Sequence, residues 1–212
     1  MSQIFNFLFE QYSNSAPIDI FLEITAVIFG FASVWYSKQN NILVFPTGLI
    51  SAAIFVYLLF KWQLIGDMMI HSYYFIMSLY GWYIWTRKID SEQVTPISKT
   101  TKNEQFLGVI IFIATLIVVF VVYQFFDMWT SWVAYVDTFT TALFFVGMWL
   151  MAKRKIENWI FWIFADIISV PLYFYKGFTF TSLQYLGFTI LAIFGFLAWK
   201  KHLNNTPQAA EK

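Results

Sequence analysis

The chain has 212 residues and a net charge of +1; 59% of its residues are hydrophobic and only 12% are charged. A soluble domain usually has about a quarter of its residues charged, so this composition predicts an integral membrane protein whose solvent is the bilayer. The charge balance leaves no basic excess for nucleic acid, and the lack of Cys excludes disulfides and thiolate chemistry. Two histidines, His71 and His202, are too few for a histidine metal cluster, and no cofactor is expected.

Seven stretches are long and apolar enough to cross the membrane, because about 20 apolar residues span the hydrocarbon core. The predicted helices cover residues 17–38, 41–61, 64–87, 104–125, 133–153, 157–176 and 179–200. Residues 1–12 are too short to span, but they place apolar and aromatic side chains on one helical face, which predicts an interfacial helix.

These spans form groups of three, one and three, and they predict an all-α integral membrane fold. Residues 89–103 are the one clearly polar connection and are rich in Ser and Thr. The predicted organisation is an interfacial N-terminal segment (1–16), a first three-helix group (17–88), a cytoplasmic linker (89–103), a linking helix (104–125), a second three-helix group (133–201) and a cytoplasmic tail (202–212).

The distribution of positive charge predicts the orientation of the chain. If the first span starts outside, only Lys61 and Lys176 lie on the outer side, and the other eleven of the 13 Lys and Arg residues lie inside. Cytoplasmic loops carry such an excess of Lys and Arg. We therefore predict that the N-terminus is outside and the C-terminus inside.

The two groups of three spans resemble each other. Residues 81–85 and 195–199 share a Gly-x-x-x-Trp motif at an offset of 114, and each motif precedes basic residues. Residues 41–45 and 158–162 each begin with Asn and end with an aromatic residue, at an offset of 117. A three-residue gap in the loops would reconcile the offsets. Parallel repeats of this kind are a transporter architecture, with the substrate site near the membrane midplane.

A carboxylate in the sixth span is the leading candidate for a site residue. Asp166 lies eight residues into that span, about 12 Å deep at 1.5 Å per residue, where an ionisable group is costly and a functional role is the default. Asn158, Trp162 and Ser169 follow the same helical stripe, and Trp159 borders it. The alternative is that Asp166 caps a neighbouring helix or bonds a buried hydroxyl.

Other polar residues lie within predicted spans. His71 shares a helical face with Asp67 and Tyr74 in the third span, although a single His can also be a packing residue. Asp137 opens the fifth span, where it either caps the helix N-terminus, as carboxylates favour, or lines a pocket. Gln184 in the seventh span is a further candidate.

The charges indicate the type of solute. No Lys or Arg lies deep in a span, whereas a phosphorylated substrate needs such groups. An uncharged or cationic solute is therefore expected, and Trp beside a carboxylate suits a flat cation. A retinal protein would need a Lys within the seventh span, which is absent before Lys200. Motifs of intramembrane proteases and transferases are also absent, so the chain is not expected to be an enzyme; a membrane sensor without transport is the other class considered.

Several of these residues belong to a recognisable pattern. Residues 80–85 (YGWYIW), 157–162 (ENWIFW), Asp166, 167–173 (IISVPLY) and 175–177 (YKG) resemble the PnuC vitamin transporters. The resemblance extends over residues 20 to 201. It implies a SWEET-like fold made by parallel duplication, in a multi-pass protein of the bacterial inner membrane. It also implies uptake of nicotinamide riboside, thiamine or another vitamin by facilitated diffusion, trapping by a cytoplasmic kinase, and assembly as a homotrimer.

The resemblance also assigns site residues. Trp162 and Asn158 match the aromatic and amide residues of the family, whereas Asp166 stands where some members have Asn and His71 where many have Gln. The expected pose stacks the ring on Trp162, pairs Asp166 and His71 with its polar edge, and places Asn158 and Gln184 at its hydroxyls. Nicotinamide riboside is the preferred substrate; thiamine is the main alternative, followed by riboflavin and nucleosides.

Overall fold

The computed structural model describes residues 16–63, 65–89, 92–93 and 95–205. Its helices are α1 (Pro17–Lys38), α2 (Val44–Lys61), α3 (Ile65–Thr86), α4 (Lys102–Phe125), α5 (Trp132–Ala152), α6 (Asn158–Tyr175) and α7 (Thr179–Asn205). A short antiparallel hairpin of β1 (Lys88–Ile89) and β2 (Glu92–Gln93) lies between α3 and α4. The helical fold is confirmed, and the hairpin is an addition to it. The interfacial helix predicted within residues 1–12 lies outside the described residues.

Six of the seven described helices are long and apolar enough to cross a membrane, judged by length and composition. The exception is α3, which has 22 residues but includes Asp67, His71 and Ser72. These polar side chains lower its hydropathy, and polar groups at membrane depth mark functional regions. Because α3 packs between α2 and α5, it belongs to the same bundle as the six apolar helices.

Some helix boundaries differ from the predicted ones. The second helix begins at Val44 rather than 41, because Asn40 has a φ of 54° and the Leu43 amide donates to Asn41 Oδ1 over 3.0 Å, which forms a turn. The last helix continues to Asn205, into the segment predicted as a tail.

The linking helix begins two residues earlier than predicted, at Lys102. Thr101 and Glu104 form a capping box there, in which each side chain bonds the backbone of the other residue. Glu104 also forms ion pairs with Lys153 and Lys155, at 3.3 and 2.9 Å. This end of α4 is therefore fixed to the turn between α5 and α6.

Six of the helices close a ring, in the order α1, α2, α3, α5, α6 and α7. The first group, α1 to α3, meets the second group, α5 to α7, where α1 packs on α7 and where α3 packs on α5. Helix α4 lies outside the ring, against α5. The sequence predicted the two groups, and the structure shows that they share one central space.

An offset of 114 positions relates several matching helix boundaries and both turns of the two groups. Helices α2 and α6 each have 18 residues and begin 114 positions apart, as do α3 and α7. Asn40 and Arg154 both have a φ of 54° in the first turn of each group, and Gln63 and Gly177 have φ of 59° and 84° in the second. The predicted offset of 117 near the start of α2 and α6, and the gap with it, are therefore wrong.

An aromatic contact joins α2 and α3 at one end of the ring. Phe45 packs edge-on against Trp85, with ring centroids 4.9 Å apart and an interplanar angle of 87°. Gly81 lies beneath the Phe45 ring, where a Cβ atom would clash with it. Trp85 Nε1 donates to the carbonyl of Ala152 over 3.0 Å, which joins α3 to α5.

The second group repeats this arrangement with Trp159 in place of Phe45. Trp159 packs edge-on against Trp199 at 5.5 Å and 89°, and its benzo edge lies against Gly195. Trp199 Nε1 donates to the carbonyl of Ser37 over 3.0 Å, which joins α7 to α1. Both interfaces between the groups are therefore closed at this end by an indole hydrogen bond.

We call this end of the ring the basic end, because Lys38, Arg87, Lys153 and Lys200 lie at it. The linker crosses it and is bound to the turn before α6. The Ser98 amide donates to the Arg154 carbonyl over 3.1 Å, and Arg154 Nη1 donates to the Thr95 carbonyl over 2.7 Å. Ile97 is buried in the aromatic cluster.

The opposite end of the ring carries two ion pairs. Lys61 contacts Asp19 at 2.7 Å and thus joins the end of α2 to the start of α1. Lys176, just after α6, contacts Asp137 on α5 at 3.1 Å. Both pairs connect the first two helices of their own group. The orientation of these ends relative to the membrane remains a prediction.

Candidate functional site

A cavity of about 150 Å³ lies inside the ring, and all six ring helices contribute to its wall. The wall is unequal. Helices of the first group contribute mainly small residues, many of them on α1 and α2: Gly30, Ser33, Ser37, Gly48, Ser51 and Ser78. Helices of the second group contribute larger or more polar side chains: Met148, Met151, Trp159, Trp162, Asp166 and Gln184. Small and hydroxyl-bearing residues therefore dominate the cavity wall on α1 and on much of α2, whereas aromatic side chains come from Phe55, His71 and Tyr74 in the first group as well as from α6.

The internal offset explains this inequality. Gly48 stands 114 positions before Trp162, and Ala52 stands 114 positions before Asp166; all four line the cavity. Where α6 carries an indole and a carboxylate, the equivalent positions of α2 carry almost no side chain. The space in the ring is thus opened by small residues of α1 and α2, and the facing α6 contributes the indole and the carboxylate; His71 and Tyr74 on α3 also line the cavity.

Trp162 is held in an aromatic setting. Its ring centroid lies 5.8 Å from that of Tyr74 on α3 and 5.6 Å from that of Phe144 on α5. Aromatic pairs at such distances favour tilted arrangements that restrict the ring. Trp162 therefore presents a positioned indole to the cavity, as a stacking surface must.

Asp166 lies one helical turn beyond Trp162 and is 2% exposed. No hydrogen bond or ion pair joins its carboxylate to another residue of the described chain. A buried charge without a partner is unfavourable in a protein interior. The alternative that Asp166 caps a helix or bonds a buried hydroxyl is therefore wrong, and the carboxylate is available to a proton or a cation.

Two further predicted residues lie across the cavity from α6, on α3. The His71 ring is 4.5 Å from Phe55 and 5.8 Å from Tyr74, and all three residues line the cavity. Gln184 on α7 lines it as well. The structure thus brings together six of the eight predicted site residues: Trp162, Asp166, Trp159, His71, Tyr74 and Gln184.

Asn158 and Asp137 do not line the cavity. Asn158 opens α6 and is fully buried, and its Nδ2 donates to the Lys155 carbonyl over 2.6 Å. Asp137 is five residues beyond the first residue of α5, too far along to cap it, and it pairs with Lys176. Asp137 and the Asn158 amide nitrogen thus have structural partners, whereas Asn158 Oδ1 has none among the described residues; neither residue lines the cavity.

Asp67, which shares a helical face with His71, forms a hydrogen bond outside the cavity. Tyr173 Oη donates to Asp67 Oδ1 over 3.2 Å, which links α6 to α3 between the cavity and the opposite end. The Tyr173 ring is 5.0 Å from the Tyr185 ring on α7. These three residues form a polar and aromatic layer beyond the cavity, which we call the tyrosine layer.

The serines of the first group were not predicted as site residues. Ser33 and Ser51 line the cavity, but their hydroxyls already donate to the carbonyls of Val44 and Ala26, each over 2.8 Å. Both bonds run between α1 and α2, and serines often make such interhelical bonds within membrane bundles. The only sequence signal for this wall was the offset of 114, which aligns Gly48 with Trp162 and so places α2 opposite the candidate residues of α6.

Comparison with known proteins indicates the family to which this chain belongs. A profile of the nicotinamide mononucleotide transporter family matches residues 20–201. The chain belongs to this family. The nicotinamide riboside transporter PnuC of Escherichia coli strain K12 is 24% identical over 208 residues, and 84% of each chain is covered. PnuC of Neisseria mucosa is 23% identical over 196 residues, which cover 86% of this chain and 73% of the relative.

Two further comparisons concern substrate and fold. The riboflavin/roseoflavin transporter RibM of Streptomyces davaonensis is 26% identical over 125 residues, 58% of each chain. A crystal structure of the vitamin B3 transporter PnuC superposes with a TM-score of 0.67 at 22% identity, covering 89% of this chain and 84% of that one.

These findings confirm the predictions of a PnuC-family membrane transporter, not an enzyme, and of a multi-pass protein of the bacterial inner membrane. The SWEET-like duplication remains a prediction.

Proposed function

We propose that this transporter carries nicotinamide riboside into the cell by facilitated diffusion. The observation that carries the proposal is Asp166, a buried carboxylate without a partner among the described residues, in a cavity that also exposes the indole of Trp162. Nicotinamide riboside is a flat cation, and such a solute gains both charge pairing and a cation–π contact from this pair. Relatives of this length are named for the same substrate.

The proposed pose follows from the positions of the side chains. The pyridinium ring stacks on Trp162, one turn from Asp166, so its positive charge lies beside the carboxylate. His71 and Gln184 approach from α3 and α7, the helices on the other walls of the cavity, and bond the polar edge of the ring. Asn158 and Gln184 were predicted to meet the hydroxyls of the solute, but Asn158 does not line the cavity, and Gln184 is assigned here to the polar edge of the ring.

We further propose that the two groups arose by parallel duplication and that the basic end faces the cytoplasm. The common offset of 114 in helices and turns supports the duplication. The concentration of Lys and Arg at the basic end supports an N-terminus outside and a C-terminus inside. On this topology the tyrosine layer covers the cavity on the outer side, and the indole hydrogen bonds and the linker cover it on the inner side.

Transport then requires the first group to rock against the second. The two groups meet at α1 with α7 and at α3 with α5, so opening either end must break contacts there. No ion coupling is proposed, because alternating access needs only similar affinity for the solute in both states. A cytoplasmic kinase that phosphorylates the vitamin would maintain the gradient. Assembly as a homotrimer is a further prediction from the family.

Isothermal titration calorimetry on the purified transporter tests the substrate. We expect nicotinamide riboside to bind, and Asp166→Asn to weaken its binding by about tenfold or more, because the variant keeps the shape but removes the charge that faces the cation. Asp137→Asn is the matched control: it also neutralises a membrane carboxylate, but one outside the cavity, and should change affinity less than about twofold. Equal effects of the two substitutions would contradict the proposal.

The same titration separates two other vitamins. Asp166 could pair with the thiazolium or bond the aminopyrimidine of thiamine, and the similarity to RibM favours riboflavin as a second candidate. Binding of thiamine alone would mean that Asp166 and His71 mark a changed specificity. Binding of riboflavin alone, without an effect of Asp166→Asn, would show that charge does not select the solute.

A further inference from the structure

Two buried polar atoms at the basic end of the cavity form no hydrogen bond within the described part of the chain. Trp159 and Ser37 both line the cavity and are 2% and 4% exposed. Neither Trp159 Nε1 nor Ser37 Oγ has a hydrogen-bond partner in the part of the chain that the structure describes. Buried polar atoms are nearly always paired in native structures, since an unpaired one costs free energy. Two such atoms at the same end of the cavity need an explanation.

Trp199 places these two groups close together. Its ring packs against Trp159, with centroids 5.5 Å apart, and its Nε1 donates to the carbonyl of Ser37 over 3.0 Å. Trp159 on α6 and Ser37 on α1 thus contact the same residue of α7 from two sides. Both residues therefore line the cavity beside Trp199, at the basic end.

The first group shows that packing alone does not require the Trp159 N–H. Phe45, which stands 114 positions before Trp159, makes the equivalent edge-on contact with Trp85 at 4.9 Å and lies equally on a glycine. Phenylalanine has no N–H, yet the contact is complete. Tryptophan at position 159 therefore adds a hydrogen-bond donor to an arrangement that is stable without one.

Ser37 allows a similar comparison on its own helix. Ser33 lies one turn earlier, also lines the cavity, and donates its hydroxyl to the Val44 carbonyl over 2.8 Å. The hydroxyl of Ser37 makes no such bond. One serine hydroxyl is thus satisfied by the helix bundle, and the other is left without a partner among the described residues.

We propose that Trp159 Nε1–H and Ser37 Oγ form a second subsite that binds a hydroxyl or ether oxygen of the substrate tail. Trp159 and Asp166 are seven residues apart on α6, about 10 Å along the helix axis. This separation suits a solute with a flat ring at Asp166 and Trp162 and a hydroxylated tail towards the basic end. The proposal deepens the proposed function, because it assigns the ribosyl group of nicotinamide riboside to this subsite and gives the solute one orientation.

The test compares ligands that differ only in the tail. Nicotinamide riboside and 1-methylnicotinamide share the pyridinium ring and its charge, but only the first has a ribosyl group. We expect Trp159→Phe and Ser37→Ala each to weaken nicotinamide riboside binding by about 3- to 10-fold, the scale of one hydrogen bond, and to leave 1-methylnicotinamide unchanged. Ser33→Ala, the matched control, should affect neither ligand. Equal losses for both ligands, or no loss for either, would overturn the subsite.

A wider panel separates this proposal from the proposed function. Riboflavin with lumiflavin, and thiamine with an analogue that lacks the hydroxyethyl group, form further pairs with and without a hydroxylated tail. If the transporter binds one of these vitamins and not nicotinamide riboside, the proposed function fails. The subsite then requires that Trp159→Phe and Ser37→Ala weaken binding of the member of that pair with the hydroxylated tail and leave binding of the other member unchanged. If no hydroxylated member of the panel binds, both proposals fail.

Discussion

Trp199 on the last helix donates its indole N–H to the carbonyl of Ser37 on the first helix, over 3.0 Å. The bond joins the first and last described helices around the ring, and one of its two residues, Ser37, also belongs to the proposed subsite. Its counterpart at the other interface runs from Trp85 to Ala152, also over 3.0 Å. The basic end is thus closed by two matching bonds between the groups.

We predict that Trp199→Phe lowers the stability of the transporter by about 1 kcal/mol, because it removes one hydrogen bond but keeps the aromatic ring. The Ser37 carbonyl retains a bond from the Asn40 amide at 2.9 Å, so it is not left without a donor. Trp85→Phe should produce a loss of similar size. Thermal unfolding in detergent measures both, and a loss for one variant only would contradict the equivalence of the two interfaces.

Two glycines provide a second test of that equivalence. Gly81→Ala and Gly195→Ala would each drive a Cβ atom into the ring of Phe45 or Trp159, and overpacking of this kind costs about 1–3 kcal/mol. Gly108→Ala in α4 is the control, because its Cβ would meet Val146 at an ordinary 3.7 Å and alanine favours the helix. Unfolding midpoints should fall for the first two variants and not for the third.

The stacking role of Trp162 is tested by truncation. Trp162→Ala should weaken binding of the preferred vitamin by about 1–3 kcal/mol, the scale of a lost aromatic stack, while Trp162→Phe should retain part of the affinity. Calorimetry measures both. Trp149→Ala is a useful comparison, because Trp149 belongs to a separate cluster on α5 that does not line the cavity. Unchanged affinity in Trp162→Ala would remove this residue from the site.

Arg154 is expected to hold the linker over the basic end. It is 2% exposed, its guanidinium lies 4.0 Å from the Trp85 ring centroid, and burial lowers its pKa to about 10, so it remains cationic at neutral pH. Arg154→Met should remove the bond to Thr95 and accelerate hydrogen exchange of the Ser98 amide, which bonds the Arg154 carbonyl. Arg87→Met, at an exposed position, should leave that amide protected. Equal exchange in the two variants would show that the side chain does not hold the linker.

Hydropathy predicted the seven helices because membrane spans carry a strong compositional signal. It could not predict the turn at Asn40, which depends on local backbone geometry, nor how far α7 extends. The matching motifs at Gly81 and Gly195 indicated an offset of 114, but the pairing of Phe45 with Trp162 suggested a second offset that the helix boundaries do not support. Only the contacts on Trp85 and Trp199 show that Trp159 is the counterpart of Phe45.

The candidate site was predictable where a residue is costly to bury and lies near mid-helix, as for Asp166 and His71. Periodicity alone placed Asn158 on the same helical stripe as Trp162. Because Asn158 is the first residue of α6, its side chain contacts the preceding turn and not the cavity. The role of Asp137 could not be predicted either, because it depends on an ion pair with Lys176, which is distant in the sequence. Ser37 could not be predicted from the sequence, because only the structure shows that no described residue forms a hydrogen bond with its hydroxyl.

Uptake of labelled nicotinamide riboside into sealed proteoliposomes distinguishes uncoupled transport of this vitamin from its alternatives. We predict saturable uptake that stops when the inner and outer concentrations are equal, is unaffected by proton and sodium ionophores, and is reduced in Asp166→Asn but not in Asp137→Asn. Binding without uptake would indicate a membrane sensor. Accumulation above equilibrium that an ionophore abolishes, or no uptake of nicotinamide riboside at all, would contradict uncoupled transport of this vitamin.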